Sequence, residues 1–117
     1  MRSSGENMAL DVSTGDQPAF AAVTGAGTTA TQIRATPHTT VVIYASAAIF
    51  AFNGVADGAA APGATLRKAF TATQASGGIV QVVGGPIAGA SYGTVCVAAQ
   101  TGTVDLEVQS IPPERIS

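Results

Sequence analysis

The sequence predicts an all-β domain, an antiparallel β-sandwich behind an extended N-terminal arm, and three observations carry that reading. From residue 31 onward, short runs rich in Val, Ile, Phe and Thr recur between Gly, Pro and Asn turn signals, at the spacing of a sandwich or barrel. The densest apolar run, residues 40–53, consists largely of β-branched and aromatic types together with alanine. Its apolar positions follow no sustained spacing of three and four, so the helix that alanine favours is set aside. Finally, Val104, Leu106 and Val108 alternate with Asp105, Glu107 and Gln109, the pattern of an antiparallel strand with one buried and one wet face.

In chain order, residues 1–30 form the arm, 31–110 the sandwich and 111–117 a polar tail. The arm is built from Ala, Thr, Ser and Gly, and its large apolar side chains are Met8, Leu10, Val12, Phe20 and Val23. Too few to fold alone, they order the segment only if something ties it down. An arm laid on a neighbouring subunit would do so, with Leu10, Val12, Phe20 and Val23 as its anchors. Strands are expected at 31–36, 40–45, 48–53, 65–72, 78–83, 92–99 and 103–110. Ala45 to Ala48 is read as a tight bend that makes 40–53 a hairpin, with Ile43 and Tyr44 on opposite faces and Phe50 and Phe52 on one. Residues 54–64, broken by Gly58, Pro62 and Gly63, read as a long loop. Thr101-Gly102 reads as the turn of a last hairpin, and Pro112-Pro113 ends its second strand.

Composition limits what this domain does. Of its 54 hydrophobic residues 23 are alanine, so the core is thin, each buried alanine removing little apolar area at about 25 cal/mol per Å². Charged residues make up 10% of the chain, against about 25% in an ordinary soluble domain, and from residue 35 to 104 they number three: Asp57, Arg67 and Lys68. A surface so poor in charge is expected to be covered by neighbours. A net charge of −2 without a basic run excludes a phosphate-tracking nucleic-acid binder. The N-terminus has no apolar stretch of signal-peptide length, and glycines break the uncharged 69–104 segment into pieces too short for a membrane helix.

The chemistry of a catalyst is in short supply. His38 follows Pro37 in a turn and reads as a solvated loop residue rather than a general base. Cys96, between Val95 and Val97, reads as a small core residue, not a thiolate nucleophile. Asp105 and Glu107 share a strand face with no converging third carboxylate, and Arg67-Lys68 reads as two solvated charges on opposite sides of a strand. No Cys/His cluster fits zinc, no loop supplies the alternating oxygens of a calcium site, and neither Gly77-Gly78 nor Gly84-Gly85 leads into a phosphate-binding helix. Neither an enzyme nor a cofactor or metal site is expected.

The order of parts, Thr31-Gln-Ile-Arg-Ala-Thr-Pro37, then Val41-Val-Ile-Tyr44, then Ala48-Ile-Phe-Ala-Phe-Asn-Gly54 with its small-residue loop, then Gly102-Thr-Val-Asp-Leu-Glu-Val108, resembles the small all-β decoration or cement proteins of bacteriophage heads. The resemblance covers about two-thirds of the chain, and the N-terminal arm departs from the shorter N-termini of that class. It implies a jelly-roll-like sandwich that forms a homotrimer, binds the major capsid protein on the outer surface of the virion and bridges coat subunits. Two alternatives stand beside it: a carbohydrate- or receptor-binding sandwich, for which Tyr92 would be the stacking ring, and a tail or connector component of the same particle.

Overall fold

A computed structural model describes residues 9–12, 19–86 and 89–111. Among these residues nine strands, one short α-helix and one 3₁₀ turn follow in order: β1 Leu10–Asp11, β2 Phe20–Ala26, β3 Thr31–Ala35, β4 Thr40–Ala45, β5 Ile49–Phe52, the 3₁₀ turn Ala64–Leu66, β6 Arg67–Phe70, α1 Ala72–Ser76, β7 Ile79–Val82, β8 Gly93–Ala99 and β9 Val104–Ile111. They form two sheets packed face to face, a five-stranded one ordered β1-β3-β8-β5-β6 and a four-stranded one ordered β2-β9-β4-β7. Every pairing is antiparallel except that of β1 on β3.

All seven strands expected between residues 31 and 110 are present, but their connections differ from the expectation. Neither hairpin forms. β4 lies in the four-stranded sheet and β5 in the five-stranded one, and β8 and β9 are likewise divided between the sheets. The reason lies in the stronger non-local ladders: β4 pairs with β9 over six positions, Thr40↔Ile111 to Ala45↔Leu106, and β5 pairs with β8. The bend after Ala45 is therefore a corner between sheets. Ser46 N donates to the Asp105 carbonyl at 3.0 Å, Asp105 N donates back to Ser46 Oγ at 3.0 Å, and Gln100 Nε2 ties the far side to the Ile49 carbonyl at 3.0 Å. β5 and β6 are the one pair of consecutive strands that lie side by side.

The region expected as an arm contributes strands to both sheets. β1 extends the five-stranded sheet beside β3, and Val12 N donates to the Arg34 carbonyl at 2.8 Å. β2 pairs with β9 in the four-stranded sheet. Residues 1–8 and 13–18 of the expected arm, and the tail at 112–117, lie outside the described residues.

The core between the sheets is made by Ile33, Ile43, Ile49, Val41, Val95, Val97, Val104, Leu106 and Val108, with Ala35, Ala45 and Ala99 filling narrow places. The burial of β9 alternates from Val104 to Val108 as its sequence predicts. β8 is different: all seven of its residues are buried. Val95, Val97 and Ala99 face the other sheet, whereas Cys96 and Ala98 face outward into a second cluster with Ala30, Phe52 and Phe50. Segment 53–62 covers that outer cluster, with Val55 and Ala61 packed on it. α1 went unforeseen, although Thr71-Ala-Thr-Gln74 is a capping-box pattern: Gln74 N donates to Thr71 Oγ1, and Thr71 N to Gln74 Oε1.

Candidate interaction surface

The two sheets present opposite kinds of outer face. On the five-stranded sheet, the loop after β5 is fastened down by its own polar side chains. Asn53 Nδ2 donates to the Thr94 carbonyl at 2.7 Å and Thr94 Oγ1 donates to Asn53 Oδ1 at 2.8 Å. Asp57 Oδ1 accepts from Gln32 N at 2.8 Å, and Gln32 Nε2 donates to the Val55 carbonyl at 3.4 Å. With Gly54 N also donating to Asn53 Oδ1 at 2.9 Å, these bonds use most of the hydrogen-bonding capacity of Asn53 to hold the loop in place. Beside the loop runs an open groove of about 770 Å³ lined by Arg34, Asn53, Asp57, Gly85, Tyr92 and Thr94. The Arg34 guanidinium sits 4.7 Å from the Tyr92 ring centroid, with Nε donating to Gln32 Oε1 at 2.8 Å.

The outer face of the four-stranded sheet has no such cover among the described residues. The register aligns its outward side chains in rows: Phe20, Gln109, Val42 and Val80 in one, Ile111, Thr40 and Val82 in the next, and Ala22, Glu107 and Tyr44 on the other side. Phe20 is 71% exposed, Val80 63% and Val82 61%, and Tyr44 and Ile111 are also exposed. Among the described residues, Asp105 and Glu107 are the charges on this face, both toward one end, and no basic residue stands on it. A shallow depression of about 400 Å³ lies between Phe20, Ala22, Tyr44, Glu107 and Gln109. An apolar area of this extent with a polar rim has the character of a protein-docking surface.

Of the four expected anchors, Leu10, Val12 and Val23 are buried in the chain's own core, and Phe20 stands at the edge of the exposed face. Burial of the first three follows from β1 and β2 joining the sheets. Val42, Tyr44, Val80, Val82 and Ile111 were not foreseen as surface residues. The charge-free run from 69 to 104 signalled an uncovered surface, but its position depends on which strands pair.

The candidate catalytic groups stay apart. His38 is exposed in its turn, with a left-handed backbone at φ 66° and its N–H held by the Val83 carbonyl at 3.1 Å. Cys96 is fully buried beneath Val55, whose carbonyl accepts from Sγ at 3.6 Å. Burial pushes its thiol up to about 11, with the nearby Asp57 charge adding to the rise. Such a thiol is protonated at neutral pH and is a poor nucleophile. Asp105 Oδ1 accepts from Gly25 N at 3.0 Å, so that carboxylate shapes the β2 bulge. Among the described residues no group of three or more His, Cys, Asp or Glu side chains is placed to hold a metal ion. No family model matches the sequence, and comparison with curated proteins and with solved structures found no match.

Proposed function

We propose that this chain is a structural protein of a bacteriophage particle, a decoration protein that binds the major capsid protein on the outside of the head and bridges neighbouring coat subunits. The observation that supports this reading is the bare apolar face of the four-stranded sheet, set against an opposite sheet whose outer cluster is already covered. A domain with one covered face and one largely apolar open face, its two carboxylates gathered toward one end, is suited to lying flat on a larger protein surface. Affinity then comes from area and shape, and repetition around a lattice multiplies modest contacts into firm attachment. Two packed sheets with almost every connection crossing between them are compatible with the jelly-roll-like arrangement implied by the resemblance.

The test uses shells assembled without this chain. Adding the purified protein is expected to give saturable co-sedimentation and to raise the temperature at which the shells open in low salt. Phe20→Lys, at the exposed edge of the face, is expected to lower the bound fraction at least about tenfold, because it sets a charge into a desolvated contact. Shells that open at the same temperature with and without the bound protein would refute the stiffening role.

A second reading draws on the groove beside Tyr92, where an aromatic ring stands among polar groups as in a carbohydrate site. Arg34 already occupies one approach to that ring, which leaves less of it for a sugar. Glycan-array binding abolished by Tyr92→Ala would favour this module over the decoration protein.

A further inference from the structure

A sheet edge is a row of unpaired backbone donors and acceptors, and folded chains protect their edges with charge, shortness, bulges or a covering segment. Three of the four edges here carry such a device. β1 is two residues long. β6 displays Arg67 and Lys68 in a four-residue strand. β2 is interrupted by a register shift between Val23 and Ala26, where Gly25 N is tied to Asp105.

β7, Ile79-Val80-Gln81-Val82, is as short as β6 but carries none of the other devices. It bears no charge, proline or bulge, its four residues pair in unbroken register with β4, and among the described residues nothing bonds to its other side. Val80 and Val82 stand exposed along it. Left open, a strand of this kind draws other strands to itself.

We propose that β7 is the self-association edge of this protein, pairing antiparallel with β7 of a second copy across a two-fold axis to make one eight-stranded sheet. The occupant that fits is the same strand. Because the segment from 69 to 104 is uncharged, two copies meet without opposing like charges, and the valines of one strand come beside those of its mate. An isologous pair also closes, leaving no free β7 edge. The pairing joins the apolar outer faces of both copies into a surface of twice the width, and it replaces the threefold implied by the resemblance. It stands independently of the virion reading, since it concerns the purified chain alone.

The experiment is light scattering of the full chain across a concentration series, with amide hydrogen exchange at residues 79–82. The wild type is expected to be a dimer whose β7 amides gain protection as concentration rises. Val80→Lys and Val82→Lys, both at side chains exposed in the single copy, are expected to fold as the wild type does by circular dichroism and to weaken the dimer about tenfold or more, with the added protection lost. Phe20→Lys, on the opposite edge strand, is expected to leave the dimer intact while weakening attachment to shells, so that the two proposals fail separately. A monomer throughout, an oligomer of another order, or a dimer insensitive to both lysines overturns the pairing.

Discussion

The guanidinium of Arg67 lies over the ring of Phe50, 3.7 Å from its centroid, while its Nη1 donates to the Pro62 carbonyl at 3.3 Å. One side chain thus joins β6, β5 and the far end of the covering segment. By sequence alone Arg67 and Lys68 read as two solvated charges. Lys68 is exposed, but Arg67 is half-buried and holds the cover in place. Arg67→Ala is expected to cost about 1 kcal/mol in urea unfolding, and Arg67→Lys to recover only part of it, because an ammonium lacks the planar fork that stacks on a ring and reaches a carbonyl together. Full recovery by lysine would reduce the contact to simple charge.

Gly93, at the start of β8, faces the chain as it leaves β7. A Cβ there would lie against the Gly84 carbonyl oxygen, far inside contact distance, and 2.6 Å from Val83 Cγ1. Backbone occupies the space, so Gly93→Ala forces the crossing strand away. A loss of about 3 kcal/mol is expected by the same unfolding measurement. Gly63→Ala is the control: Gly63 has φ −67° and nothing near the place a Cβ would take, so its change should stay within about 0.5 kcal/mol.

Local pattern made the strands legible and left their partners hidden. The alternation of Val104 to Gln109 and the β-branched run at Val41 to Ile43 named their elements correctly, because each reports a face against a core. Nothing local states that Ala45 and Ile49 belong to different sheets. That choice is made by β9 and β8, whose partner residues Leu106 and Ala99 lie far along the chain from Ala45 and Ile49. The same limit hid the docking face: Val80, Phe20 and Ile111 come from three strands and meet only once the order β2-β9-β4-β7 is known. Cys96 is a core residue, as its flanking valines indicate, but they do not show that its cover is a loop rather than the opposite sheet.

The position of Cys96 fixes a pH dependence. Its thiol is pushed up to about 11 from an ordinary 9.0, so between those values the unfolded chain releases a proton that the folded chain keeps. The free energy of unfolding therefore falls as pH rises: the stability is fully present below pH 9 and most of this loss is complete by pH 11. From pH 8 to 11 the wild type is expected to lose up to about 2 kcal/mol more stability than Cys96→Ala, in which the titrating group is missing. A parallel readout is alkylation at pH 8, which should be slow in the native protein and fast in urea. Equal pH profiles for the two proteins would mean that the thiol does not differ between folded and unfolded chains.

Thr31 offers a test of the core itself. It sits at the start of β3 opposite Val97, fully buried, and its Oγ1 finds no hydrogen-bond partner among the described residues. A buried hydroxyl without a partner has given up its bonds to water and received none in return, a cost of about 1–3 kcal/mol. Valine has nearly the same shape and no polar atom, and it suits a strand at least as well. Thr31→Val is therefore expected to raise stability by about 1 kcal/mol, seen as a higher urea midpoint at unchanged slope. The sign is what decides. A core already thin in large side chains gains from an added methyl only if nothing polar was being held there, so a destabilised Thr31→Val would mean that the hydroxyl has a bonding partner in the folded protein.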